Sequence, residues 1–217
     1  MNSAIILAGG IGSRINSNVP KQFIEVNNKK IIDFSIDAFK ANSNIDEIVL
    51  VLSKRWIKEL KNEYKDYILI DSGKSRSDSS FKGLSACSKK STNVLIHDAA
   101  RPLLSQEIID SCIHYLDIYE AVTPFIDISD SIIEKDKDII KYLNRDLIKR
   151  IQTPQGFNKN IILNIMKKNN SYGTDDISTL LNYYPSAKVK FFKGDKNNFK
   201  ITDEIDLKIF KSIANEK

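Results

Sequence analysis

Four short stretches near the start of the chain are almost unbroken runs of apolar residues: 4–8, 47–52, 67–70 and 93–96. A strand with one face in water alternates apolar and polar residues. A continuous run needs cover on both faces, the condition of strands inside a mostly parallel sheet. Between these runs the spacing changes to that of helices. Ile32, Ile36 and Phe39 share a face within 31–40, and further helical stretches are expected around 56–64 and 77–89. Ile108, Ile109, Cys112, Ile113 and Leu116 keep a helical period behind Ser105, a plausible N-cap. Later strands are expected at 120–126 and 188–192. Strand and helix in alternation predict an α/β fold with a doubly wound, mostly parallel sheet.

The 217 residues correspond to one or two domains of roughly 100–200 residues. No repeat, linker or break in composition divides them, so a single domain over 1–217 is expected. Residues 127–150 differ in texture, being polar, charged and weakly periodic, and read as an excursion from the sheet. The 33 basic and 28 acidic side chains leave a formal charge of +5. The lysines are scattered among acids, as in 54–65, and form no basic stripe interleaved with aromatics. A nucleic-acid partner is therefore not expected, whereas a mildly positive field suits phosphorylated small molecules. No apolar run approaches the ~20 residues of a membrane span, and no basic segment precedes a long apolar one as in a secretory signal. Cys87 and Cys112 make neither a disulfide framework nor a metal-ligand spacing. A cytoplasmic protein without membrane contact is the expectation.

In doubly wound sheets, ligands sit outside the carboxyl ends of the strands. Three segments fall there. The first is Leu7-Ala8-Gly9-Gly10-Ile-Gly12-Ser-Arg14, followed by Pro20-Lys21-Gln22. Glycines after a strand let backbone N–H groups approach an anion closely, and Arg14 and Lys21 add a forked and a compact cation. The same residues could make a plain turn with two surface cations. A phosphate loop of the G-x-x-x-x-G-K-S type is excluded, because the position it needs ahead of Gly73-Lys74-Ser75 is Ile68. A dinucleotide fingerprint starting at Gly10 fails at Ile15. The second segment, Ser72-Gly73-Lys74-Ser75-Arg76-Ser77-Asp78-Ser79, could hold a nucleobase, ribose or phosphate, or could simply cap a helix. The third, His97-Asp98-Ala99-Ala-Arg101, offers a carboxylate for sugar hydroxyls or a metal, or an internal ion pair between Asp98 and Arg101. Asp175 and Asp176 are adjacent, so their side chains diverge, and they read as first-turn helix charges before 177–181. Cys112 lies on the apolar helix face and reads as core.

In order, these segments resemble the IspD-like cytidylyltransferases. The resemblance runs through the glycine segment with Pro20-Lys21-Gln22, then Ser72-Gly73-x-x-Arg76-x-Asp78-Ser79, then 95–102. It continues through Asn144-Arg145, Gln152-Thr153-Pro-Gln155, Gly173-Thr-Asp-Asp176 and Gly194-Asp-x-x-Asn198-Phe-Lys200-Ile-Thr202. It implies a Rossmann-like nucleotidyltransferase fold, transfer of CMP from CTP to a polyol phosphate, and Mg²⁺ held mainly by the CTP phosphates rather than by a protein metal site. By resemblance, Leu7, Ala8, Gly9, Gly10, Gly12, Arg14 and Lys21 hold the triphosphate. Gly73, Arg76, Ser79 and Ala99 lie against the rest of the nucleotide. Asp98, Arg101, Thr153 and Lys200 meet the acceptor, as do Ser131 and Arg145 from an arm at about 127–150 that crosses a homodimer. Arg14, Lys21 and Lys200 are the catalytic cations.

The family's methylerythritol-phosphate enzymes usually carry Ala-Ala-Gly in the first loop, where this chain has Ala8-Gly9-Gly10, and Asp-Thr followed by a basic residue, where it has Asp130-Ser131-Ile-Ile. Both features lean toward the family's ribitol- and other pentitol-phosphate enzymes of cell-surface polymer synthesis. The blocks at 97–102 and 174–176 lean toward methylerythritol phosphate.

Overall fold

The computed structural model of the protein describes residues 1–10, 15, 17, 19–168 and 173–216. The first half runs β1 (Asn2–Leu7), a small hairpin of β2 (Glu25–Val26) and β3 (Lys29–Lys30), α1 (Ile31–Lys40), β4 (Glu47–Leu52), α2 (Lys54–Leu60), β5 (Ile68–Asp71), α3 (Arg76–Ala86), β6 (Asn93–Asp98) and α4 (Gln106–Leu116). The second half runs β7 (Ala121–Asp127), β8 (Ile132–Asp136), β9 (Ile139–Leu143), β10 (Lys149–Ile151), β11 (Gln155–Asn158), α5 (Lys159–Lys168), α6 (Asp176–Tyr183), β12 (Val189–Lys193) and α7 (Glu204–Asn215).

The main sheet has the order β5-β4-β1-β6-β11-β7, with β10 and β12 also paired to β7. Its pairs β1–β4, β1–β6, β4–β5 and β7–β12 are parallel, while β11 runs antiparallel between β6 and β7. The expected α/β, mostly parallel, doubly wound sheet is what forms, and both of its faces are covered. Ala4, Ile6 and Ala8 pack with Ile32, Phe39, Ile109 and Cys112 from α1 and α4. Ile5, Val49 and Val51 pack on the other face with Leu84, Ile162 and Leu180 from α3, α5 and α6. The approach of α3 is so close that a Cβ on Gly83 would lie 2.5 Å from Ile5 Cγ2. A third cluster joins α7, through Leu207 and Phe210, to Val26, Ile31 and Ile201.

Element ends differ from the sequence expectation by at most four residues, as with α2, expected around 56–64 and found over Lys54–Leu60, while β4 falls where expected. β11 carries no apolar run, since its four residues are Gln-Gly-Phe-Asn. It forms because the ladder of β6 has an unpaired side, and backbone pairing there asks nothing of side-chain polarity. The excursion at 127–150 is a separate two-stranded sheet of β8 and β9 that leaves the body after β7 and returns into β10.

Candidate active site

Sheet order reverses at β1, which lies between β4 and β6, so the strand connections part there to opposite sides. A crevice opens at such a switch point. Leu7 at the end of β1 is in register with Asp98 at the end of β6. A cavity of about 460 Å³ lies over these ends. Its walls are Leu7 to Gly10 after β1, Gly73 to Arg76 with Ser79 before and in α3, and Asp98 to Ala100 after β6. Lys21 and Gln22 close one side and Lys200 with Thr202 another.

Each wall is fastened from behind. Buried Gln22 donates from Nε2 to the carbonyls of Ala8 (2.7 Å) and Gly10 (2.8 Å), pinning the glycine segment. Gly9 sits where a Cβ would meet Ser72 Cβ at 2.3 Å, so the loops after β1 and β5 touch only because that side chain is missing. Ser75 caps α3 by accepting from Asp78 N–H, while Gly73 N–H donates to Ser79 Oγ (3.0 Å). The capped N-terminus of α3 therefore borders the cavity, where its partial positive charge favours anions.

The floor is a charge network. Asp98, only 10% exposed in its side chain, accepts from Arg76 Nε (3.1 Å) and from Lys200 Nζ (2.7 Å). Arg76 also donates from Nη1 to Asp176 Oδ2 (2.7 Å), whose side chain is completely buried. Burial alone would push the Asp98 carboxyl up, but the adjacent Arg76 and Lys200 outweigh it and hold it far below the usual carboxylate range. Burial raises Asp176 as well, and Arg76 only partly offsets it. Burial pulls the Arg76 guanidinium down, and its two carboxylates more than reverse that. Asp98 thus ion-pairs with Arg76 and Lys200 rather than with Arg101, which donates from Nη1 to the Asn198 carbonyl (2.8 Å).

Lys200 is brought in by the segment 194–202, tied down by Gln152 Nε2 to the carbonyls of Asp195 and Asn198, by Asn198 Nδ2 to the Thr153 carbonyl, and by Ile201 N–H to the Ala100 carbonyl. Lys21 Nζ donates to the Ile201 carbonyl (2.6 Å). Arg101 lines a second cavity of about 160 Å³ beside the first, with Arg150 and Gln152, and the two cavities share Lys200 and Thr202.

The sequence-predicted residues therefore fall into three groups. Leu7, Ala8, Gly9, Gly10, Lys21, Gly73, Arg76, Ser79, Asp98, Ala99 and Lys200 line the main cavity and Arg101 and Lys200 the second. Thr153, Ser131 and Arg145 line neither. Thr153 is buried, and its Oγ1 accepts from Asp98 N–H (3.1 Å) and faces His97 Nδ1 (3.1 Å), directly behind the cavity floor. Ser131 and Arg145 are exposed on the arm, where Arg145 Nη1 donates to the Ser129 carbonyl (2.6 Å). Gly12 and Arg14 lie outside the described residues. His97 Nε2 faces the Arg101 carbonyl (3.1 Å), which can only accept, so Nε2 carries the proton and Nδ1 accepts from Thr153. Full burial lowers its pKa to about 4, which keeps this neutral tautomer.

Gln22, Lys74, Ser75, Ala100 and Thr202 also line the cavity, beyond the residues expected from the sequence, and each lies inside or beside one of the segments described above. From the sequence, Asp176 reads as a helix-end charge. Asp175 does cap α6, through Ser178 N–H (2.7 Å), but Asp176 turns inward to Arg76, so the adjacent carboxylates diverge as expected and only one is a helix-end group.

Residues 2–216 match the family model described as "IspD: 2-C-methyl-D-erythritol 4-phosphate cytidylyltransferase". The chain belongs to this family. A relative of the same name from Clostridium botulinum (strain 657 / Type Ba4) is 39% identical over 217 aligned residues, covering 95% of this chain and 94% of the relative. One from Clostridioides difficile (strain 630) is 38% identical, covering 99% and 94%. Among solved structures, 4-diphosphocytidyl-2C-methyl-D-erythritol synthase from Anaerococcus prevotii superposes with a TM-score of 0.84 at 32% identity, over 100% of this chain and 98% of that one. The bifunctional IspDF of Campylobacter jejuni gives 0.83 at 29% identity, over 95% of this chain and 53% of that one. The shared architecture is the Rossmann-like nucleotidyltransferase fold, and the chain is a cytidylyltransferase of that fold. Among the described residues, no helix is long and apolar enough to cross a membrane.

Proposed function

We propose that the cavity over β1 and β6 transfers CMP from CTP to 2-C-methyl-D-erythritol 4-phosphate, releasing pyrophosphate and CDP-methylerythritol for isoprenoid precursor synthesis. The observation that carries this reading is the meeting of Lys21, Arg76, Asp98 and Lys200 at the switch point of a chain that matches the family over nearly its whole length. The Clostridium botulinum and Clostridioides difficile relatives both bear the methylerythritol name, which favours that acceptor over ribitol or another pentitol phosphate. Gly9, one of the two features leaning toward pentitol phosphates, is accounted for by its packing on Ser72.

An acceptor phosphate oxygen attacks the α-phosphorus of CTP in line, forming the new P–O bond as the bond to pyrophosphate breaks. A phosphate monoester is already mostly dianionic at neutral pH, its second pKa being about 6, so the nucleophile needs no general base. The protein's work is then positioning and charge stabilisation. The glycine segment, Gly12, Arg14 and Lys21 hold the triphosphate. Gly73, Arg76, Ser79 and Ala99 lie along the nucleotide. Lys21 and Lys200 bracket the α-phosphoryl group and Arg14 steadies the leaving pyrophosphate. Asp98 stays ionised, holds Lys200 in place through a 2.7 Å ion pair, and with Arg101 borders the acceptor. Thr153 acts from behind, through Asp98 and His97.

CTP would enter as its magnesium complex, the ion held mainly by the phosphates and neutralising part of the triphosphate charge, since Asp98 already carries two cations. We read the chain as one domain with a dimerisation arm, acting as a cytoplasmic homodimer. Exposed Ile139, Tyr142 and Leu147 on the arm, between 72% and 78% accessible, support a second copy covering it and bringing Ser131 and Arg145 to the neighbouring cavity. The test is pyrophosphate release from CTP and Mg²⁺ with methylerythritol phosphate and ribitol phosphate side by side. Preference for the first is expected. Preference for ribitol phosphate would replace the acceptor, and release with neither would overturn the reading.

A further inference from the structure

Two sequence blocks remain without a part in the chemistry above: Gln155, at the end of the 152–155 block, and the Asp175-Asp176 pair. They meet in space. Gln155 Oε1 accepts from the backbone N–H of Asp176 (3.1 Å) and Ile177 (3.2 Å), and its Nε2 donates to Asp175 Oδ2 (2.8 Å). Gln155 is 1% exposed and opposes Ile96 across the β11–β6 ladder, two residues short of Asp98. The N-terminus of α6 is therefore clamped to β11, the neighbour of the strand that ends at the cavity. What the clamp holds is the Asp176 carboxylate, and that carboxylate meets Arg76 Nη1 at 2.7 Å.

A fully buried charge is a poor way to gain stability. Desolvation costs several kcal/mol per ion, and apolar residues of similar volume commonly do as well or better. Geometry gives a better account. Arg76 is spanned by two carboxylates, Asp98 through Nε and Asp176 through Nη1, so the fork of its guanidinium is held at two points. With Asp176 removed, Arg76 keeps one anchor, the same Asp98 on which Lys200 depends.

We propose that Asp176 is a positioning residue, clamped by Gln155, that holds the Arg76 guanidinium along the nucleotide and keeps Arg76 from competing with Lys200 for Asp98. This rests on the functional reading above, specifically on Arg76 lying against CTP.

The test is equilibrium binding of CTP with Mg²⁺ by calorimetry, across wild type, Asp176→Asn, Arg76→Gln, the double variant and Asp176→Glu, with thermal unfolding recorded for each. Asp176→Asn keeps the shape and loses the charge. The expected result is a roughly tenfold weaker Kd for CTP in Asp176→Asn and recovery to within about threefold in Asp176→Glu. On the Arg76→Gln background, Asp176→Asn should add less than about twofold, because residues acting as one unit are not additive. A residue serving stability alone would give the same further loss whichever side chain stands at 76. Unchanged CTP binding in Asp176→Asn, or an equal loss on both backgrounds, overturns the proposal. Should Asp176→Asn fail to fold, a further loss of more than about twofold from Arg76→Gln to the double variant, or a loss of more than about threefold in Asp176→Glu, overturns the proposal. Wild-type protein that binds no CTP would instead defeat the functional reading, which separates the two failures.

Discussion

The cavity floor and the arm are built on opposite terms. At the floor, Asp98, Asp176, Arg76 and Lys200 neutralise one another within a few ångströms, and His97, Thr153 and the Asp98 backbone form a closed chain of hydrogen bonds beneath them. The arm, β8 with β9, is a lone two-stranded sheet with Ile139, Ile140 and Tyr142 turned to solvent. A hairpin of that kind is marginal alone in water, and contiguous exposed apolar side chains mark a contact surface. The floor is complete within one chain, whereas the arm is shaped to be completed by something else. Under the homodimer proposed above, one chain would supply the nucleotide half of the site and two chains would share the acceptor half.

Four predictions break or sharpen that division. The largest effect is expected at the floor. Lys21→Ala and Lys200→Ala should each lower kcat by about 10²–10³-fold, the usual cost of removing one charge-stabilising donor, with far-ultraviolet circular dichroism unchanged. Near-normal turnover in steady-state assays would remove these cations from the mechanism.

Second is the floor's response to acid. The folded protein holds His97 at about 4 against 6.5 unfolded, so the unfolded chain takes up a proton first as pH falls. Stability is then full above pH 6.5 and declines from 6.5 to about 4, by about 3 kcal/mol at 1.36 kcal/mol per pH unit. Urea unfolding at pH 7 and 4.5 should show that fall in wild type and a smaller one in His97→Gln. Equal falls would mean that His97 is not the group responsible.

Third, Arg145→Ala on the arm should raise KM for the acceptor roughly 10–100-fold, matching a lost charged hydrogen bond of about 1.5–3 kcal/mol, while Kd for CTP stays within twofold. Tyr142→Asp should shift the sedimentation coefficient toward the monomer and reproduce that acceptor defect. A CTP defect of the same size in either variant would erase the division between the halves. The smallest effect belongs to Gly9→Ala, which should lower stability by about 1–3 kcal/mol through overpacking on Ser72, with the loss largely restored by Ser72→Gly. An uncorrected loss would point to a cause other than that contact.

Much of the floor was legible in the sequence because its parts sit at strand ends, and strand ends are where apolar runs stop. Leu7, Asp98 and the loop after β5 were located by that rule alone. The arm was legible only as an absence of pattern, since a hairpin with both faces in water has no apolar period to betray it. β11 was missed because Gln-Gly-Phe-Asn owes its strand to a neighbour's free backbone edge rather than to its own side chains. Asp176 was misjudged for a related reason. The first turn of a helix is the ordinary place for an exposed acid, and only the distance from α6 to α3, invisible in the sequence, turns it inward. The bond from Asp98 N–H to Thr153 Oγ1 was not legible either, since the two residues are 55 positions apart.

The bond from Lys21 Nζ to the Ile201 carbonyl joins residues 180 positions apart. During synthesis at roughly 5–20 residues per second, Lys21 leaves the ribosome about 10–40 s before its partner exists, and Lys200 arrives just as late. The nascent chain can build β1, β4, β5 and β6, and with them most of the nucleotide wall, long before the last cation is present. Competence therefore comes late, when 194–202 docks onto Gln152, Thr153 and Ala100 and brings Lys200 to the cavity.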